Sequence, residues 1–134
     1  MSTYKQFENY VRKTWRVLED RDAKPPKGYM GLLFETSDDR SQILLIHPSE
    51  DLGGGEVAIV LSRIGELSGN KLKKALEFCS ECFIGGLVSI DGFIYLRHSI
   101  LLANVDENEI EIPILAVSAV ADVLEEKLLG SDAS

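Results

Sequence analysis

The residues in this sequence with the most reactive side chains are two cysteines, spaced as Cys79-Ser80-Glu81-Cys82, and two histidines, His47 and His98. A Cys-x-x-Cys pair can act as a dithiol redox centre or as half of a zinc site. The redox role needs a helix N-terminus, where the dipole lowers the thiol pKa. Here the pair stands at the C-terminal end of an apolar helical face, where cysteines pack as small hydrophobic residues. Zinc needs two further ligands, and His47 and His98 lie on separate strand-like runs without ligand spacing. Metal and cofactor are therefore both expected to be absent. His98 shares a strand face with Ile94 and Leu96 and has no nucleophile or acid spaced to work with it, and no serine stands in a Gly-x-Ser-x-Gly elbow, so no catalytic residue is assigned. The triplet Gly53-Gly54-Gly55 precedes a strand rather than a helix and is flanked by Glu50, Asp51 and Glu56, which suits a hairpin loop and not a phosphate cradle. The acidic pairs Asp20/Asp22 and Asp38/Asp39 lack the spacing of a calcium loop. Tyr4, Tyr10 and Trp15 remain as an aromatic group with potential for binding.

The 134 residues suit one domain, expected over 1–130, followed by a polar, flexible tail over 131–134. Hydrophobic residues make up 45% and charged residues 27%, the balance of a globular chain and not of a disordered or fibrous one. A net charge of −8 repels phosphate backbones and anionic lipid, so nucleic acid is not an expected partner. The apolar stretch from Ile112 to Leu124 is broken by Ser118 and Asp122 and falls short of the roughly 20 residues that cross a bilayer. With two cysteines and no apolar leader in the first residues, a reducing cytoplasm is the expected compartment.

The elements that hold these residues follow from periodicity. Tyr4, Phe7, Val11, Trp15 and Leu18 recur at helical spacing, which predicts a first helix from Tyr4 to Leu18, capped by Ser2 or Thr3 and ended before Pro25-Pro26. Strands are expected over Gly28–Thr36, Gln42–His47 and Glu56–Ile64, the first two joined by a turn at Ser37-Asp38-Asp39-Arg40. A second helix opens at Ser68-Gly69-Asn70 and carries Leu72, Ala75, Leu76, Cys79, Cys82 and Phe83 on one side. Asp91-Gly92 joins strands Leu87–Ile90 and Phe93–Leu101 as a type I′ hairpin. A third helix begins at Asp106-Glu107-Asn108 and stops at Gly130, with Pro113 expected in its first turn. The order α-β-β-β-α-β-β-α predicts an α+β fold with helices packed on a curved antiparallel sheet.

That order, the small size and the acidity resemble class I type III secretion chaperones and their non-secretion relatives, the YbjN-like proteins. The likeness is most specific in Ala75-Leu76-Glu77-Phe78, in the hairpin from Val88 to Ser99 with its Leu-Arg-His-Ser ending, in Leu101-Leu102 and in Val120-Ala121-Asp122. It implies a homodimer without an enzymatic site that binds an extended segment of another protein, chaperone-like or regulatory in role. The implied partner surface is the second sheet face with Leu33, Leu44 and Ile46, together with Tyr4 and Trp15. The implied dimer surface contains Leu72, Leu76, Phe83, Phe93 and Tyr95. The competing expectation is a small-molecule- or metal-binding protein that uses the cavity between sheet and helices.

Overall fold

The computed structural model describes residues 1–19, 24–36 and 40–129. Helix α1 (Tyr4–Thr14) is opened by a reciprocal cap: the Thr3 hydroxyl accepts the Gln6 N–H at 3.1 Å, and the Gln6 side-chain oxygen accepts the Thr3 N–H at 3.2 Å. Its apolar stripe buries Phe7 and Val11. The helix is shorter than its periodicity suggests, because Trp15 turns extended (φ −126°) and residues 16–18 run as a strand-like segment.

Five strands, β1 (Met30–Glu35), β2 (Ser41–Glu50), β3 (Glu56–Gly65), β4 (Gly86–Ile90) and β5 (Phe93–Leu101), form one antiparallel sheet in the order β1-β2-β3-β5-β4. The β2–β3 loop is held by Asp51, whose carboxylate accepts the N–H groups of Gly53 and Gly55, both at 2.8 Å. The β4–β5 turn has positive φ at both Asp91 (51°) and Gly92 (85°), as a type I′ turn requires. The Ser37–Asp39 part of the β1–β2 turn, the Asp20–Asp22 run, the Gly130 stop and the 131–134 tail lie outside the described residues.

Helix α2 (Gly69–Cys79) and the long helix α3 (Glu107–Leu129) follow β3 and β5. The second helix ends at Cys79 rather than continuing to Phe83. In α3 the Asp106 carboxylate accepts the Glu109 N–H at 2.8 Å and the Glu109 carboxylate accepts the Asp106 N–H at 3.2 Å, a second reciprocal cap. Pro113 lies inside this helix, not in its first turn. It cannot donate to the Glu109 carbonyl, a defect of about 3 kcal/mol. The helix carries it because Ile110, Ile114, Val117, Ala121 and Leu124 are buried against the sheet. The fold is thus α+β, an open five-stranded antiparallel sheet with three helices in the order α-β-β-β-α-β-β-α. None of the described helices is long and apolar enough to cross a membrane.

The main core lies between sheet and helices and contains Met30, Leu32, Leu44, Ile46, Val60 and Leu96 beneath α1 and α3. Two polar groups at its margin are paired across to α3. Arg40 meets Asp122 of α3 at 2.9 Å, and Gln42, only 3% exposed, donates to Glu125 at 3.0 Å.

Candidate functional site

Because strand side chains alternate, the helix-facing set of residues leaves a complementary set on the other side of the sheet. Cross-strand pairing places Leu33, Ile43, Arg63, Tyr95 and Val88 in one row of that open face. The next row holds Gly31, Leu45, Leu61, Arg97 and Gly86. A second apolar cluster forms here from Val57, Ile59 and Leu61, each only 3–4% exposed beneath Tyr29, Leu45, Val88 and Tyr95. None of the three helices lies over it: α3 packs on the opposite side, and the contacts of α1 and α2 are with that same core. Ile43, Ile90 and Leu101 remain 41%, 40% and 63% exposed. Within the strands this face carries Arg63 and Arg97 against a single carboxylate, Glu35, at its margin. It is apolar and cationic in a chain of net charge −8.

Of the residues expected at a partner surface, Leu33 is on this face and half-buried. Leu44 and Ile46 are not: both are 0% exposed and belong to the helix-side core. The error is one of register. A four-residue turn at 37–40 would pair Leu33 with Leu44, whereas the strands pair Leu33 with Ile43 and Glu35 with Ser41. One residue of slip sends every β2 side chain to the other face. Ile43, Leu45 and His47 are therefore the exposed-phase residues of β2. The sequence signal that could have found them is the length of the polar turn, read as odd rather than even.

Tyr4 and Trp15 are likewise separated from Leu33. The Tyr4 ring packs on Phe7 at 5.5 Å, and burial pushes its phenol up to about 12, helped by Glu8 and opposed by Arg12. Trp15 stands edge-on to Tyr10 at 6.4 Å and packs on Phe34 at 6.1 Å. Both serve the helix-side core and not a patch continuous with the open face. The five residues of the implied dimer surface also divide. Leu72 packs on the core, and Leu76 and Phe83 are 52% and 76% exposed beside it. Phe93 and Tyr95 belong to the open sheet face, where Arg63 lies 3.8 Å from the centre of the Phe93 ring.

The two edges of the sheet differ as well. Along β1, Leu18 donates to the Gly31 carbonyl at 2.8 Å and Leu33 donates to the Arg16 carbonyl at 3.1 Å, so residues 16–18 cover that edge. A Cβ on Gly31 would sit 3.0 Å from the Leu18 side chain, which fills the space that the glycine leaves. Along β4 no strand is paired on the outer side among the described residues.

The sulfur and imidazole groups have structural surroundings. Cys79 and Cys82 are free thiols at the end of α2, both half-buried. Burial pushes the Cys79 thiol up, with a smaller push from Cys82, which opposes thiolate chemistry. His98 Nδ1 accepts the Gly85 N–H at 2.9 Å, and burial holds the imidazole below its ordinary value. His47 lies on the open face with its ring 4.8 Å from that of Tyr29, so the two imidazoles are on opposite sides of the sheet. Among the described residues no group of three or more His, Cys, Asp or Glu is placed to hold a metal ion. At the far end of the sheet a cleft of about 510 Å³ is lined by Gln42, Arg63, Phe93, Glu125 and Leu129. Burial pushes the Glu125 carboxyl up, and Arg40 and Arg63 act against it.

Compared with family models, curated proteins and solved structures, the chain has no significant match.

Proposed function

We propose that this chain is a non-catalytic protein-binding module of the cytoplasm, chaperone-like or regulatory, that holds an extended segment of another protein against its sheet. The observation that carries this reading is the sheet face over which none of the three helices lies, where Ile43, Ile90 and Leu101 stay exposed around a small apolar cluster and Arg63 and Arg97 add positive charge. Soluble monomers keep such surfaces small unless something binds there. The likeness of the element order to secretion chaperones and YbjN-like proteins points the same way, and so does the engagement of His98 and both cysteines in packing. A homodimer belongs to the proposal, with Leu76 and Phe83 of the α2 region as its exposed apolar contacts.

The test is affinity capture from lysate of the source cells with the wild-type chain and with Ile43→Asp, both first verified as folded. One protein retained by the wild type and lost with Ile43→Asp is the expected result. Equal retention by both, or none by either, removes the reading. Sedimentation of the wild type and of Phe83→Ser tests the dimer separately. A second reading, small-molecule binding, is favoured by the cleft that Gln42, Arg63 and Glu125 line, whose size fits a metabolite. A melting shift that a metabolite causes in the wild type but not in Glu125→Gln would support it.

A further inference from the structure

We infer that the outer edge of β4 accepts the partner's extended segment as a sixth strand, and that a carboxylate on this segment pairs with Arg97 across Gly86. The inference rests on the protein-binding reading: the stretch of the segment on the open face is what Ile43→Asp tests, and the β4 edge holds a further stretch of the same segment.

The edges decide the place. Residues 16–18 already occupy the outer side of β1 through two main-chain hydrogen bonds, while β4 has main-chain groups to offer on its outer side. An extended peptide is bound at such an edge through those groups, and pockets for alternate side chains set its specificity. On the open face β4 presents Gly86, Val88 and Ile90 at alternate positions. Val88 is half-buried and Ile90 is 40% exposed, so both ask for apolar neighbours. Gly86 lies directly across from Arg97 in the β4–β5 pair, and a Cβ added there would meet nothing within 4 Å. No side chain therefore stands between Arg97 and the edge.

Charge decides the chemistry. Arg97 is exposed, its hydrogen bond is to the Ser99 hydroxyl at 3.3 Å, and no carboxylate among the described residues forms an ion pair with it. A residue facing Gly86 on an added strand would be about 10 Å from Arg97 measured between Cα atoms, since strands lie about 4.8 Å apart. An arginine and a glutamate side chain together span that gap. The segment that fits thus has two apolar residues and an acidic one at successive alternate positions. A second copy fits less well. Antiparallel pairing of two β4 strands centred on Val88 would set Ile90 against Gly86 and leave Arg97 without a counter-charge.

The probe is a set of nine-residue peptides of alternating Thr and Val that carry one Glu, stepped through the Val positions, with Gln at the same position as control. Affinity is read by fluorescence anisotropy, and the site by amide hydrogen exchange over residues 86–90. One Glu position is expected to bind about fivefold tighter than its Gln control. Exchange should slow over 86–90 and not over 30–35, and Arg97→Gln should bring the Glu-to-Gln ratio to one. Binding that protects other residues, or a ratio unchanged in Arg97→Gln, overturns the inference and leaves the protein-binding reading standing. Absence of peptide binding overturns the inference alone, because lysate capture judges that reading independently. A dimer in which residues 86–90 are already protected without peptide also overturns it, since the edge then belongs to a second copy.

Discussion

On the helix side of the sheet, Leu32, Leu44, Ser62 and Leu96 form one cross-strand row with 0–1% exposure. One residue further along each strand, Leu33, Ile43, Arg63 and Tyr95 form a row of similar size on the other side, where Ile43 is 41% exposed. Hydrophobic content alone does not distinguish these rows. The difference is the layer of α1 and α3, which seals one row and leaves the other without a helix over it. Under the reading proposed above, the helix-free row is the surface that a partner segment would cover.

The comparison breaks most visibly at adjacent residues of β2. Leu44→Asp places a charge in the sealed layer and is expected to cost at least about 4 kcal/mol, enough to abolish cooperative melting of a domain of ordinary stability. Ile43→Asp, one residue away, should shift stability by less than about 1 kcal/mol. Urea denaturation of both variants is the check, and an equally unfolded Ile43→Asp would mean that the open face is covered in solution.

Gly85 and Gly86 give a second adjacent contrast at the head of β4. Gly85 has φ +45°, and a Cβ there would fall 2.0 Å from the Arg97 carbonyl oxygen, so Gly85→Ala should cost about 2–3 kcal/mol. Gly86→Ala has open space and should cost under about 0.5 kcal/mol. Thermal melts of the pair would show whether the open edge has room for the side chains of a neighbour.

The thiols are a smaller test. Cys79→Ala and Cys82→Ala each remove a half-buried packing atom and are expected to cost about 1 kcal/mol, with partner capture unchanged. Loss of capture without loss of stability would assign these cysteines to the site.

The smallest effect is one of pH. The folded His98 has a pKa below the ordinary 6.5, because burial disfavours the imidazolium. Its stabilising contribution is therefore complete above 6.5 and is lost as pH falls through the folded value. Glu125 acts with the opposite sign: its pKa is raised by burial above the ordinary 4.5, so its contribution is complete below 4.5 and is lost as pH rises through the folded value. Melting temperatures between about pH 7.5 and about pH 5 should fall more for the wild type than for His98→Gln. Parallel curves would remove His98 from the account.

The element types and their order were legible because each is marked locally. Thr3 with Gln6 and Asp106 with Glu109 are capping residues, Asp91-Gly92 suits positive φ at two successive positions, and Ile114, Val117, Ala121 and Leu124 keep helical spacing. These signals act within a few residues, so they survive without knowledge of the fold. Three features were decided only in three dimensions. The run Ile43-Leu44-Leu45-Ile46 has no polar alternation, so its phase came from the β1–β2 register, and one residue in the turn reversed it. Residues 16–18 continue the apolar spacing of α1 but are drawn into main-chain bonds with β1, which covers one edge and leaves the other at β4. The bare face exists because all three helices were spent on the opposite side, a choice made by packing between distant elements and carried by no single segment of the chain.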